Sequence, residues 1–324
     1  MHARVIELQK YFTEALLAEP AQGRPDELYA PMNYILSLGG KRLRPVMVLL
    51  GTELFDGNLE AALPAAKAVE WFHNFTLVHD DIMDEAPLRR GKPAVHEKWN
   101  RNIAILSGDA MLVKCYDFLL GLRPDVLASV TRLFNTTAVE VCEGQQLDMN
   151  FESRSDVTVD EYLHMIEYKT SVFLAAALEM GAIIAGADQS DAGHLYEFGR
   201  NIGIAFQLQD DLLDVYGDQE KVGKQVGGDI LSDKKTFLWL TAEEQATAEQ
   251  RNQLHALIGV NGKDLEKVKT VRGIYDELNI PTQVRAKMDS FYDIGLQHLD
   301  DVRVSAEKKI PLMQLAESLM QREH

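Results

Sequence analysis

Two short acidic strings, Asp80-Asp81-Ile82-Met83-Asp84 and Asp210-Asp211-Leu212-Leu213-Asp214, repeat one pattern, DDxxD. With 25 aspartates in 324 residues, roughly 0.15 single matches and roughly 0.01 pairs are expected by chance, so the repetition is informative where one copy would be weak. Each string ends a long apolar run with helical spacing, an odd setting for carboxylates that only face water. On a helix, positions i and i+4 share a face about one turn apart. Asp80 with Asp84, and Asp210 with Asp214, can therefore each present oxygens to a common point. Oxygen clusters without His or Cys favour Mg²⁺ or Ca²⁺ over zinc, and Mg²⁺ typically bridges a few carboxylates to substrate phosphates.

Three basic elements complete the charge pattern. Gly39-Gly40-Lys41-Arg42-Leu43-Arg44-Pro45 opens a helix, where flexible glycines, cations and free helix N–H groups make an anion cradle. Arg89-Arg90-Gly91 follows the first acidic string across Pro87, where the helix should stop and the chain can fold its cations back. Lys224 and Lys234 lie in and after a glycine-rich segment behind the second string. Read alone, the first element is more often a solvated helix start and the last equally a surface loop. Together, acid pairs beside isolated cations suit a strongly anionic ligand that arrives with metal, for which a diphosphate is the natural candidate. The apolar runs beneath both strings add a hydrocarbon portion.

The elements that must position these groups read as helices. Apolar spacing predicts them over Leu8 to Leu17, Leu28 to Leu38, Val46 to Phe55, Ala61 to Val78, Ile103 to Leu120, Val126 to Leu147, Tyr162 to Ala185, Leu195 to Val215 and Phe237 to Leu240. Gly and Pro clusters punctuate the runs, and convincing strands are scarce, so the fold class is all-α. No linker, repeat or low-complexity tract marks a boundary, which favours a single domain over 1–324. The stretch from Glu243 to Glu277 is more polar and reads as solvated peripheral helices without chemistry. With 46% apolar and 26% charged residues the chain is globular in composition. A net charge of -17 repels nucleic acid, so no nucleic-acid partner is expected. Cys115 and Cys142 have no CxxC spacing and read as two small buried thiols in a reducing compartment. The N-terminal residues lack the apolar core of a secretory signal, and the apolar stretch from Ser171 to Ala187, interrupted by Glu179, reads as an interior helix rather than a membrane span. The expected location is cytoplasmic.

The ordered set of GGKRLRP, DDxxD with Arg89-Arg90-Gly91, Gly144-Gln145 with Asp148, Lys169-Thr170, Phe206-Gln207, the second DDxxD and the closing lysines resembles the trans-prenyltransferases, the polyprenyl or isoprenyl diphosphate synthases, from about Leu28 to about Trp239. The resemblance implies an isoprenoid synthase helical bundle around a central cavity, usually homodimeric, with the aspartate motifs facing one another. It implies condensation of isopentenyl diphosphate with an allylic diphosphate (dimethylallyl, geranyl or farnesyl), five carbons at a time, with release of diphosphate. By resemblance, Asp80, Asp84 and Asp210 are the principal ligands of a Mg²⁺ cluster of several ions, with Asp81, Asp211 and Asp214 supporting them directly or through water. Arg89, Lys224 and Lys234 would hold the allylic diphosphate, and Lys41, Arg44, His73 and Arg90 the isopentenyl diphosphate. Lys169, Thr170 and Gln207 would line the reacting carbon. From spacing alone, Lys169 is as readily a surface lysine and His73 an interior histidine.

Product length follows from helix geometry. A helical turn rises about 5.4 Å, close to one extended isoprene unit, so bulky groups below Asp80 act as a floor. Phe75, Thr76 and Phe72 occupy those positions, and the pattern resembles the geranylgeranyl type, implying products of about fifteen to twenty carbons. Two rival readings are a class I terpene cyclase, which has no use for a second diphosphate site, and a non-catalytic subunit of a prenyl synthase, which would lose an aspartate motif.

Overall fold

Helices form where apolar spacing places them, and several run further than the spacing alone requires. The computed structural model describes residues 3–217, 227–260 and 264–321. Among these, the only strands are a two-residue pair, β1 (Leu88–Arg89) and β2 (Lys92–Pro93), antiparallel to one another. The chain forms two compact units. One comprises residues up to Asn135, Ala176–Leu195 and Arg303–Leu312; the other comprises Thr136–Ala175, Tyr196–Val302 and residues from Met313 onward.

The first unit contains α1 (Ala3–Leu17), α2 (Asp26–Ser37), α3 (Leu43–Leu54), α4 (Leu59–Met83), α5 (Val95–Lys98), α6 (Arg101–Leu119) and the start of α7 (Pro124–Ser153). α4 packs against α3 and α6. Its start is fixed by Asn58, whose side chain accepts from the Glu60 N–H at 2.9 Å, and α6 starts likewise on Asn100, which accepts from the Ile103 N–H at 2.9 Å. Phe12, Ile35, Leu49, Val69, Phe72 and Met111 are all buried in the core of this unit, and α3 and the middle of α4 are buried on every side. α4 continues through the first DDxxD and ends at Asp84, ahead of Pro87. The next turn, Arg90-Gly91, has positive φ at both residues (53° and 72°), the backbone that closes a two-residue hairpin.

The second unit takes its core from α8 (Val159–Ile166), α10 (Gln189–Tyr216), α11 (Gly228–Leu231), α12 (Phe237–Gln245), α13 (Ala248–His255), α14 (Asp264–Glu277) and α15 (Ile280–Asp301). α8 opens with a reciprocal capping box between Thr158 and Glu161. Between α8 and α9 (Val172–Ala185) the helix widens into a π turn over Glu167–Ser171. α16 (Ala306–Met320) closes the described chain.

Two expectations need correction. The polar stretch from Glu243 to Glu277 is not simply solvated: Leu254, Val271, Ile274 and Tyr275 are buried, and so is Lys267, whose Nζ donates to Asp233 at 2.6 Å. Its high charge masks a single apolar face. Of the two cysteines only Cys115 is buried; Cys142 is exposed on α7.

The helix over Val159–Ala185 has the length and apolarity to cross a membrane, yet 67% of its most apolar window is buried inside the protein. Glu179 interrupts it, and burial pushes that carboxyl up from 4.5 to about 7. The folded chain therefore keeps a proton that the unfolded chain has already lost, so stability falls as pH rises from about 4.5 towards 7. Glu179→Gln should raise the melting temperature at pH 8 and leave it nearly unchanged at pH 4.5, as read by scanning calorimetry. An equal shift at both values would remove the buried-carboxylate account.

Candidate active site

The first DDxxD occupies the last turn of α4, where unpaired carbonyls give a helix its negative end and favour cations. Its three aspartates have different surroundings. Asp81 is 0% exposed and accepts from Arg89, through Nε at 2.9 and 3.2 Å and through Nη2. Asp80 is half-buried and Asp84 exposed. The helix thus turns Asp80 and Asp84 to one side and spends Asp81 on holding the hairpin that carries Arg89 and Arg90.

The adjacent arginine reaches the glycine-rich loop, where Arg90 Nη1 donates to the Gly39 carbonyl. That loop enters α3 through Gly39 and Gly40, both at positive φ, and through Arg42, which caps α3 in the left-handed conformation at φ 47°. Arg44 Nη1 lies 3.4 Å from His73 Nε2. Because the guanidinium can only donate, His73 accepts there as a neutral imidazole. Burial first, and then Arg44, Arg90, Arg89 and Arg42, hold the His73 pKa well below its ordinary value. Burial also lowers Arg44 to about 10, against the opposing pull of Glu70. Arg90 is lowered by burial and by Arg42. Lys41 sits exposed at the rim. These cations crowd one another in a poorly solvated place, the arrangement a polyanion relieves.

The second DDxxD ends α10 in the same manner. Asp211 is buried; it accepts from the Tyr162 hydroxyl and, at 3.4 Å, from Gln207 Nε2. Burial, with Asp229 and Asp210 nearby, pushes its carboxyl up to about 8 despite those donors. Asp214 is raised by burial and by Asp229, while the Asp229 N–H donates to it at 2.9 Å. Lys234 Nζ stands 3.5 Å from Asp229. Lys224 lies outside the described residues. Asp210, Asp211, Asp214 and Asp229 thus converge here. An all-oxygen donor set of this kind fits a hard divalent cation.

Lys169 and Thr170 fall on the π turn, a widening often found at functional sites. Lys169 Nζ donates to Asp148 at 2.5 Å, and Thr170 Oγ1 lies 3.4 Å from Gln207 Oε1. Two glycines make room for the turn: a Cβ at Gly144 would fall 2.6 Å from the Lys169 Cα, and one at Gly203 would fall 2.8 Å from the Ser171 Cα. Lys169, Thr170, Gln207 and Asp211 are thus assembled within one unit.

Phe75 and Phe72 are buried on α4 with ring centroids 5.5 Å apart; Phe72 also packs edge-on against Phe134 at 5.4 Å, and Phe75 against His79 at 4.7 Å. Thr76 donates to the His73 carbonyl at 2.8 Å. Sequence reasoning passed over Glu70, Tyr162 and Asp229, and read Arg42 as one more cation of the anion cradle, whereas its side chain is turned inward. Glu70 alone left a visible signal, a carboxylate between Val69 and Trp71 in an apolar run.

The family profile described as polyprenyl synthetase matches residues 25–278. The chain belongs to this family. It is 40% identical over 303 residues to a geranylgeranyl diphosphate synthase of Methanosarcina mazei, covering 93% of this chain and 91% of the relative. A crystal structure of a geranylgeranyl pyrophosphate synthase superposes with a TM-score of 0.94 at 42% identity, covering 100% of both chains. The geranylgeranyl pyrophosphate synthase of Corynebacterium glutamicum, solved in complex with isoprenyl diphosphate and magnesium, matches at 30% identity and a TM-score of 0.84, over 98% of this chain and 97% of that one. The all-α expectation agrees with these neighbours.

Proposed function

We propose that the protein condenses isopentenyl diphosphate with an allylic diphosphate to give a trans-prenyl diphosphate of about fifteen to twenty carbons, the longer favoured. The observation that carries the reading is the hairpin: Arg89 grips the first aspartate motif while its neighbour Arg90 grips the glycine-rich loop, so one turn joins an acidic site to a cationic one. A cyclase has no need of the second. The family profile runs through residues of both units, which supports one polyprenyl synthetase domain.

Asp80, Asp84 and Asp210 would hold magnesium, as a cluster of several ions, with Asp214 supporting them. Asp81 and Asp211 are turned inward, and we assign them to orientation rather than direct ligation. A divalent ion held by these residues would neutralise the allylic diphosphate and make it a better leaving group. Arg89, Lys224 and Lys234 stabilise charge that grows on the departing oxygens, and such help counts because it is greater in the transition state than in the ground state. Thr170, Gln207 and the Lys169 region present dipoles to the allylic cation. Lys41, Arg44, His73 and Arg90 hold isopentenyl diphosphate so that its double bond can attack. The released diphosphate takes the proton, and no side-chain base is required.

A homodimer fits the surface of α6, where Leu106, Val113 and Leu120 repeat every seventh residue, all exposed, with Leu120 at 70%. The exposed Cys142 suits a reducing cytoplasm.

Mass spectrometry of products made from each allylic starter with isopentenyl diphosphate and Mg²⁺ tests the reading. Hydrocarbon formed from the allylic diphosphate alone would instead show a cyclase. Asp80→Asn and Asp210→Asn should each cut turnover by about 10²-fold or more with the fold intact by circular dichroism; near-normal rates would exclude them from the metal site. Phe75→Ala should lengthen the product by at least one five-carbon unit, and an unchanged ladder would show that Phe75 is plain packing. Val113→Glu should turn a dimer into a monomer in sedimentation velocity, whereas an unaltered dimer would place the interface elsewhere.

A further inference from the structure

Within the first unit, one ion pair is withdrawn from water on both sides. The Arg42 and Glu70 side chains are each 2% exposed. Arg42 Nη1 donates to Glu70 Oε1, and Nη2 donates to the Leu36 carbonyl. Asn74, one turn further along α4, donates to the same Oε1 at 2.9 Å and to the Glu70 carbonyl at 2.8 Å. A pair this buried is a poor stability device, because apolar groups of equal volume commonly serve as well or better. Its geometry says more about what it holds in place.

Arg42 sits between Lys41 and Arg44 in sequence, in a left-handed backbone that a long side chain seldom adopts. The two hydrogen bonds of its guanidinium hold that conformation, and the conformation sets the directions in which Lys41 and Arg44 leave the chain. Glu70 stands on α4, about three turns before Asp80, and also pulls electrostatically on Arg44 and Arg90. It is therefore the carboxylate around which the cationic cluster is arranged, although its Oε1 is already taken by Arg42 and Asn74.

We propose that Glu70 is a positioning residue for isopentenyl diphosphate: through Arg42 it fixes the glycine-rich loop against α4, so that Arg44 and Arg90 converge with His73 on the homoallylic diphosphate at a set distance from the first aspartate motif. The proposal rests on assigning that cluster to isopentenyl diphosphate. It separates the two substrates, because the loop serves one diphosphate and the aspartates the other. Glu70 touches neither substrate, and its effect is confined to how well the cations are placed.

Steady-state kinetics on the full-length protein with saturating Mg²⁺ test this. Glu70→Gln should raise KM for isopentenyl diphosphate about 10-fold or more, while KM for the allylic diphosphate and kcat at saturation move less than about 3-fold, the pattern of lost ground-state binding to one substrate. Arg42→Met should give the same split, and the double variant should be little worse than either single one, since both break one link. Asn74→Leu keeps the charges but removes the orienting hydrogen bond; a smaller shift in the same KM is expected, and this variant decides the matter if Glu70→Gln does not fold. Arg44→Gln is the reference. If it raises KM for isopentenyl diphosphate and none of the other variants does, the positioning role is wrong and the site assignment stands. If Arg44→Gln also leaves that KM unchanged, the assignment fails and the proposal with it. Equal rises in both KM values, or additive effects of Glu70→Gln and Arg42→Met, would likewise overturn it.

Discussion

Placing carboxylates at the carbonyl end of a helix sets like against like, and much of the site follows from how that conflict is resolved. Both DDxxD motifs sit in the final turns of long helices, α4 and α10, where the macrodipole already supplies negative charge. In each, the middle aspartate is drawn into the protein and given a dedicated donor: Arg89 for Asp81, Tyr162 for Asp211. Of the outer aspartates, Asp84 is exposed and Asp80, Asp210 and Asp214 are half-buried. A divalent cation is what completes such an end electrostatically, and it does so with the oxygen ligands it prefers.

The cationic part of the first unit shows the converse. Burial lowers the proton affinity of Arg44, Arg90 and His73, and the field of Arg44 and Arg90 lowers that of His73 further. Two carboxylates keep this tolerable. Asp81 takes Arg89, and Glu70 takes Arg42 while its field reaches Arg44 and Arg90. The cluster is therefore compensated at its back and left positive at its open side. A positive face with a fixed negative back gives an anion direction as well as attraction.

What could be read in advance was whatever depends on near neighbours in sequence. The helical runs, the stop before Pro87 and the i to i+4 spacing of Asp80 and Asp84 on α4 are all local. Partners chosen by tertiary packing were invisible. Tyr162 reads as one more aromatic in an amphipathic helix, and its hydroxyl meets Asp211 only because α8 lies beside α10. Arg42 reads as a third cation for the ligand, yet its side chain is turned inward. Lys267, in a stretch dismissed as solvated, is buried against Asp233, one residue from Lys234. In each case a charged or polar residue was assigned to solvent or ligand because composition gives no sign of an internal partner.

The π turn ties these strands together. A helix that gains a residue in one turn rotates everything beyond it by about a third of a revolution, so a register suited to packing on one side need not match the register on the other. Here the turn lets Lys169 meet Asp148 and Thr170 meet Gln207 while Val172 onward returns to ordinary helical packing. The arrangement requires a wide backbone between two neighbours that can yield, and Gly144 and Gly203 are those neighbours. Glycine within a helix lowers its stability by roughly 1 kcal/mol relative to alanine. Its presence on both flanks of the same turn is therefore explained by the space the turn needs, and the turn in turn by the polar groups it brings to Asp148 and Gln207.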